Sequence, residues 1–143
     1  MYLVSSCLIG INCRYNGTSS TNERLRTLVK EGKAMALCPE LLANLPIPRE
    51  PCEITQRGGQ RYVLGKSGED YTQAFVDGAA KTLDKCRLAG VTKAILQSRS
   101  PSCGFGKIYD GTFTGQLMPG NGLTAELLSA NGIEVYTEAD WIE

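Results

Sequence analysis

The stretch KAILQSRSPSCGFGK, residues 93–107, joins an apolar run directly to a turn that carries a thiol. The first part, predicted as a strand over 91–97, has the length and composition of a strand buried in a parallel sheet. Serine, proline and glycine then take over, and residues 98–106 are predicted to form a loop. Cys103 therefore lies just beyond the carboxyl end of a buried strand, where open parallel sheets bind their ligands.

Two other cysteines stand in the same relation to a predicted strand. Residues 1–6 form a short apolar strand that ends at Cys7, and residues 33–37 form another that ends at Cys38. Because the carboxyl ends of parallel strands lie along one edge of a sheet, we expect Cys7, Cys38 and Cys103 to meet there. Three thiols without histidine are a donor set for a soft metal, which favours an iron-sulfur cluster, zinc or Cu(I).

The segments between these strands have helical periodicity. The predicted helices cover 20–31, 71–89 and 124–131, and further strands cover 61–64 and 134–136. The proline-rich residues 41–60 are predicted to be a long loop, and 108–122 have no clear pattern. Strands that alternate with helices predict an α/β fold with a mostly parallel sheet and helices on both faces.

Composition and charge exclude several classes of protein. The chain has 143 residues, 42% of them hydrophobic and 21% charged, and its formal net charge is zero, which argues against a nucleic-acid partner. We find no signal peptide and no apolar run long enough to span a membrane, so we expect a cytoplasmic protein. In that reducing compartment, six cysteines are expected to be metal ligands, reactive thiols or core residues rather than disulfides.

Histidine is absent from the chain. Its absence excludes a serine–histidine triad, a cysteine–histidine pair and a histidine-ligated zinc site, and leaves acid–base work to carboxylates, hydroxyls, lysines or water. No C-x-x-C pair of the common zinc or ferredoxin type is present either. Cys86 is assigned to the core from its place on an apolar helix face. Cys13 and Cys52 lie in loops near the expected site, as spare ligands, reactive thiols or residues without a chemical role.

Several short motifs follow one another along nearly the whole chain. They are CLIG with CRYNG in 7–17, CPE in 38–40, LPIPR with EI in 45–54, SRSPSCG in 98–104 and IYDGTF in 108–113. In this order they resemble the motifs of the DUF523 family, whose characterised members are thiouracil desulfidases. Residues 41–44, LLAN, and Cys52 depart from the family pattern and bear on the shape of the substrate site.

The resemblance implies a Rossmann-like α/β fold that forms a single domain over residues 1–143. It implies a [4Fe-4S] cluster on Cys7, Cys38 and Cys103, with one iron left open to bind the sulfur of a substrate. The implied reaction is a non-redox desulfuration of a small thiolated pyrimidine, from 2-thiouracil or 4-thiouracil to uracil and hydrosulfide.

Two further residues are candidates for catalysis. Glu40, two residues after Cys38, is placed to deprotonate the attacking water or to move a proton to a ring nitrogen; its alternative roles are a helix cap or a partner of Arg49. Ser100, three residues before Cys103, is placed to hydrogen-bond the pyrimidine or developing charge; its alternative role is to shape the turn before Pro101.

Two other functions compete with this enzyme. One is an iron-sulfur sensor or carrier whose open iron has no substrate, and the other is a small-molecule binding module with redox-active thiols. Glu40 beside a predicted ligand favours the enzyme, because sensing requires no carboxylate there. The sequence leaves open which thiolated base is preferred and what the oligomeric state is, a homodimer included.

Overall fold

The computed structural model describes residues 1–17 and 21–141, which form eight strands and four α-helices. The strands are β1 (Tyr2–Ser5), β2 (Ala34–Leu37), β3 (Cys52–Arg57), β4 (Gln60–Gly65), β5 (Lys93–Leu96), β6 (Lys107–Tyr109), β7 (Leu117–Pro119) and β8 (Glu134–Thr137). The helices are α1 (Glu23–Lys30), α2 (Pro39–Leu42), α3 (Thr72–Ala89) and α4 (Leu123–Ala130), and a 3-10 helix covers Ser6–Ile9. None of these helices is long and apolar enough to cross a membrane.

A parallel sheet in the order β2–β1–β5–β8 organises the fold. Val4 of β1 stands opposite Ala36 of β2 and Ile95 of β5. The chain leaves β1 toward β2 on one side and later returns to β5 on the other side, so the strand order reverses between β1 and β5. Such a reversal opens a crevice at the carboxyl ends of the strands, the usual ligand site of this class of sheet.

Helices cover both faces of the sheet, as predicted. Leu3 faces a core cluster with Leu83 and Cys86 of α3 and Leu128 of α4. The next residue, Val4, faces the opposite cluster, which includes Leu25 and Leu28 of α1. The alternation follows from the two-residue period of a strand and makes the central strands apolar on both sides. Cys86 is fully buried in the first cluster, which confirms its assignment to the core.

The helix ends follow local signals in the sequence. Helix α1 begins after Asn22, whose side chain accepts the N–H groups of Arg24 and Leu25. The predicted start at Ser20 lies outside the described residues. Helix α3 begins where Asp70 accepts the N–H of Thr72, at 2.8 Å, and ends at Gly90, whose φ is 69°. A left-handed residue of this kind favours glycine and terminates the helix.

The prediction of a long loop over 41–60 was wrong in two places, since α2 extends to Leu42 and a strand lies in the second half of the segment. Strand β3 lies there and pairs antiparallel with β4, from Cys52 opposite Gly65 to Arg57 opposite Gln60. Gly58 and Gly59 connect the two strands with φ of 57° and 80°. Two consecutive left-handed residues match the tight turn of a two-residue hairpin, and a Gly-Gly pair is its sequence signal.

The region 108–122, unassigned from the sequence, begins within a second antiparallel pair, β6 with β7. Both strands are three residues long. Elements of this length are too short to show a period in the sequence. The two hairpins lie outside the parallel sheet, and both contribute to the site described next.

Candidate active site

A cleft of about 560 Å³ opens at the carboxyl ends of the central strands. Its lining brings together all the residues that the sequence analysis proposed for chemistry: Cys7, Cys38, Cys103, Glu40 and Ser100. Cys13 and Cys52 line the same cleft, so Cys86 is the one cysteine of the chain outside it.

Cys7 and Cys38 reach the cleft from β1 and β2. Cys7 lies in the 3-10 helix that follows β1, and its thiol donates to Gln97 Oε1 at 3.4 Å. Cys38 follows β2 and immediately precedes α2, in which Pro39 takes the first position. Proline suits the first helical position because its missing N–H would have no helical partner.

Helix α3 holds the Cys38 segment by a close backbone approach at Gly78. A Cβ built on Gly78 would lie 2.3 Å from the carbonyl oxygen of Pro39. Every other residue type would force the two helices apart, because real Cβ atoms do not approach a carbonyl oxygen this closely. Gly78 therefore allows α3 to fix the position of Cys38 and of the residues after it.

Cys103 is held by a turn that packs against the start of α4. Ser100 Oγ accepts the backbone N–H groups of Ser102 and Cys103, at 3.0 and 3.1 Å. Ser102 Oγ shares a buried hydrogen bond of 2.8 Å with Thr124 Oγ1. A Cβ on Gly122 would lie 2.4 Å from the Ser102 carbonyl oxygen, so glycine is required for this contact as well.

Cys7, Cys13 and Cys38 belong to one packed cluster, and interactions between their thiols shift the pKa of Cys13 and of Cys38. The Cys38 thiol lowers the pKa of Cys13, but the Cys7 thiol and burial outweigh it and raise that pKa to about 11. The Cys13 thiol and burial raise the pKa of Cys38 well above its usual range. Burial raises the pKa of the Cys103 thiol to about 12. A metal that binds these sulfurs must displace their protons.

The donor set fits a soft metal by its chemistry. Among the described residues that line the cleft, thiols are the only soft donors, and the chain has no histidine to form a mixed site. Within residues 1–17 and 21–141, no three His, Cys, Asp or Glu side chains converge as ligands of one metal ion. A cluster distributes its cysteine ligands over several irons and does not require that convergence.

Glu40 forms an ion pair with Arg49. The Arg49 side chain is 5% exposed and the Glu40 side chain 16% exposed. Arg49 also donates to the carbonyl oxygens of Cys13 and Pro46, at 3.4 and 3.1 Å, and its backbone N–H donates to Tyr15 at 2.6 Å. The pairing was one of the two alternative roles that the sequence left open for Glu40. It fixes the carboxylate in the wall of the cleft, beside Cys38.

Ser100 likewise has the turn-forming role that was its alternative. Its oxygen accepts two backbone N–H groups, and these bonds do not use the hydroxyl proton. Because Ser100 also lines the cleft, that proton can be donated to a molecule bound there.

Strand β3 provides a second wall, which the sequence analysis did not assign. Glu53 is 8% exposed and accepts the N–H groups of Gly111 and Phe113 at 3.0 and 3.2 Å. Glu50, just before the strand, accepts from Ser67 and from the Tyr71 hydroxyl. The N–H of Ser67 and these hydroxyls lower the pKa of Glu50. A single sequence gives no sign that the Glu53 carboxylate is buried; only the motif containing Glu53 pointed to this region.

Comparisons with known proteins agree with this geometry. A family model described as 2-thiouracil desulfurase matches residues 2–140. An uncharacterized protein of Bacillus subtilis (strain 168), YbbK, is 47% identical over 144 residues, which cover 96% of this chain and 95% of YbbK. The solved structure of the [4Fe-4S]-dependent thiouracil desulfidase TudS, a DUF523 protein, is similar with a TM-score of 0.88 and 42% identity, over 96% of this chain and 90% of that one. These matches confirm the family resemblance and the α/β fold.

Proposed function

The chain belongs to the 2-thiouracil desulfurase family, and from that premise we propose that it removes sulfur from thiolated pyrimidines. In the proposed reaction, water replaces the sulfur of 2-thiouracil or 4-thiouracil, and uracil and hydrosulfide leave without net oxidation or reduction. The observation that carries the proposal is the single cleft in which five cysteines lie with Glu40 and Ser100.

The cofactor is a [4Fe-4S] cluster, the group on which the similar desulfidase TudS depends. We assign Cys7, Cys38 and Cys103 as its ligands, because each follows a different strand of the sheet and all line the cleft. When bound, the cluster supplies an iron without a protein ligand, a Lewis acid suited to thiocarbonyl sulfur. Cys13 contacts two of these ligands and is left without an assigned role.

Glu40 is proposed as the general base. Its carboxylate lies two residues from Cys38 and lines the cleft, so it can take a proton from the water that attacks the ring carbon. Arg49 orients the carboxylate through the ion pair, and it also holds the Cys13 and Pro46 segments on either side. In a chain without histidine, a carboxylate fixed in this way supports the acid–base role.

Ser100 is proposed to position the substrate. Its two acceptor bonds hold the Cys103 turn, and its hydroxyl proton is free to hydrogen-bond a pyrimidine oxygen or the charge that develops on it. The two roles are compatible because they use different parts of the same hydroxyl group.

The size of the cleft supports a small-molecule substrate. A volume of about 560 Å³ lies within the range of roughly 300–1,000 Å³ that is common for small-ligand sites. A formal net charge of zero gives no general attraction to nucleic acid. The predictions of one domain over 1–143 and of a cytoplasmic location remain part of this proposal.

Anaerobic reconstitution tests the proposal. The protein is loaded with iron and sulfide, its iron is counted, and hydrosulfide release from 2-thiouracil and 4-thiouracil is measured. We expect four irons per chain and release from at least one of the two substrates. A loaded cluster without hydrosulfide release would favour the sensor or carrier, and a failure to bind iron would refute the cluster assignment.

A further inference from the structure

Glu53 is a buried carboxylate in the wall of the cleft that the proposed chemistry does not use. It lies on β3 beside Ile54, which is 1% exposed, and is itself 8% exposed. Burying a carboxylate is costly unless hydrogen bonds or charges compensate it. The contacts of Glu53 therefore bear on why a carboxylate occupies this position.

One oxygen of Glu53 is fully engaged. Oε1 accepts the N–H groups of Gly111 and Phe113, and both residues have positive φ, 91° and 57°. A Cβ on Gly111 would lie 2.8 Å from the carbonyl oxygen of Ile54, so this loop is packed directly against β3. Phe113 and Gly115 of the same loop line the cleft. Oε1 therefore shapes the cleft by holding the loop 110–115.

The other oxygen, Oε2, has no hydrogen-bond donor within the described part of the chain. In residues 1–17 and 21–141, the one buried side-chain polar atom without a hydrogen-bond partner is Arg61 Nε. Because Oε2 also lacks a partner but is not such a buried atom, it keeps an accessible surface. No ion pair joins Glu53 to a basic side chain among these residues. Because Glu53 lines the cleft, Oε2 is an acceptor open to a bound molecule.

We propose that Glu53 accepts a ring N–H of the substrate and so determines specificity for bases that carry one. The inference rests on the proposed function, which supplies the substrate class. A thiolated pyrimidine base has at least one N–H beside its thiocarbonyl carbon, and a carboxylate forms a charge-assisted bond with such a donor. In the proposed arrangement, Glu53 binds the ring from the β3 side of the cleft and the sulfur faces the cluster site.

Equilibrium binding of uracil to cluster-loaded protein tests the role without turnover. Calorimetry compares uracil with 1-methyluracil and 3-methyluracil, in each of which a methyl group replaces the hydrogen of one ring N–H. In the native chain, methylation of the nitrogen that faces Glu53 is expected to weaken binding by about tenfold to a hundredfold, the size of a hydrogen bond to a charged group. Equal binding of all three compounds would overturn the proposal without any variant.

Glu53→Gln then assigns the effect to Glu53. Glutamine can still accept the Gly111 and Phe113 N–H groups through one oxygen, but it turns an NH₂ group toward the cleft. We expect weaker uracil binding and no remaining discrimination against the methylated ring, with iron content unchanged. Retained discrimination in Glu53→Gln would show that Glu53 only supports the loop.

Glu50→Gln is the matched control. Glu50 precedes the same strand and lines the same cleft, but both of its oxygens are bound by Ser67 and Tyr71. The discrimination ratio should stay at the native value, and a ratio lost equally in both variants would overturn the assignment to Glu53. If the native chain releases no hydrosulfide, the proposed function fails. If only Glu53→Gln loses the discrimination between uracil and the methylated ring, the present inference is supported.

Discussion

The two walls of the cleft are built in different ways. One wall comes from the carboxyl ends of β1, β2 and β5 and carries Cys7, Cys38 and Cys103. The other comes from the hairpin β3–β4 and the segment before it, and carries Glu50, Cys52 and Glu53. The thiol wall is held by close backbone contacts at Gly78 and Gly122 together with the Ser100 and Ser102 hydrogen bonds. In the hairpin wall, the carboxylates of Glu50 and Glu53 hold the neighbouring loops by accepting their hydrogen bonds.

With two such walls, one small chain can separate the binding of a metal from the binding of a substrate. Metal ligands must keep their positions while a cluster assembles, which a sheet edge buried on both faces provides. Groups that contact a substrate benefit from loops that can be arranged around it. If this division is correct, changes to the three thiols should remove the cluster, whereas changes to the hairpin wall should alter binding or turnover and leave the cluster intact.

The largest effect is expected from the thiols themselves. Cys7→Ser, Cys38→Ser and Cys103→Ser should each abolish a stable cluster, because a serine hydroxyl is a poor ligand for iron in such a cluster. The matched variant is Cys86→Ser, in the core behind the sheet. It should retain iron near the native level, measured by iron and sulfide counts after anaerobic loading. An equal loss of iron in Cys86→Ser would remove the distinction between the cleft and the core.

Glu40→Gln separates chemistry from cluster binding. We expect native iron content and a loss of hydrosulfide release by roughly 10²–10⁴-fold, the usual size of a general-base contribution. Turnover and iron content are measured on the same anaerobic preparation. Full turnover in this variant would leave Glu40 only its structural pairing with Arg49.

Arg49→Met tests the ion pair that joins the Cys38 segment to the proline-rich loop. Removing the guanidinium leaves the Glu40 carboxylate without its partner, and we expect a loss of about 3 kcal/mol in the free energy of unfolding. Chemical denaturation measures it. The double variant Glu40→Gln with Arg49→Met should recover part of this loss because it removes the uncompensated charge. Strictly additive losses would show that the two side chains do not act as a pair.

Ser100→Ala should have a smaller effect on stability. The change removes the acceptor for the Ser102 and Cys103 N–H groups, which we expect to cost about 1–2 kcal/mol. Thermal denaturation measures that loss, and the substrate KM reports the positioning role. A raised KM with unchanged kcat would support positioning, whereas unchanged kinetics would restrict Ser100 to the turn.

The smallest effect concerns thiol reactivity on the two walls. Burial raises the pKa of Cys52 to about 12, with Glu50 adding to the shift. The thiolate is the form that reacts, so alkylation of Cys52 in the loaded protein should keep rising from pH 8 to pH 10, whereas an ordinary thiol levels off near its pKa of roughly 8.5. Cys7, Cys38 and Cys103 should be protected by the cluster. Mass spectrometry of the alkylated peptides measures the alkylation of each cysteine at each pH. A Cys52 alkylation rate that stops rising near the ordinary thiol pKa would contradict the raised pKa.

The parallel sheet and the thiol wall could be predicted from the sequence because they depend on regular signals. Apolar runs mark strands buried on both faces, and parallel topology brings their ends together, so Cys7, Cys38 and Cys103 could be grouped before any coordinates. The structure shows all three in one cleft. Their assignment as ligands remains a prediction.

The hairpin wall could not be predicted in the same way. The prolines before β3 interrupt the pattern of a strand, and the Gly58–Gly59 pair is a local signal of its turn but not of its place in the cleft. The burial of Glu53 depends on a loop 58 residues farther along the chain, a contact that no local pattern encodes. For Glu40 and Ser100, the sequence named both the catalytic and the structural role, and the structure shows the structural one in each case.

The glycine contact between α3 and the Cys38 segment also affects how the protein can be altered by selection or design. Any side chain at Gly78 would push against the Pro39 carbonyl and displace the adjacent cysteine, although Gly78 is not among the described residues that line the cleft. Gly78 therefore tolerates no substitution, whereas side chains of the hairpin can be substituted while the cluster site stays intact. New substrate preferences should arise first in residues 50–57 and 110–115.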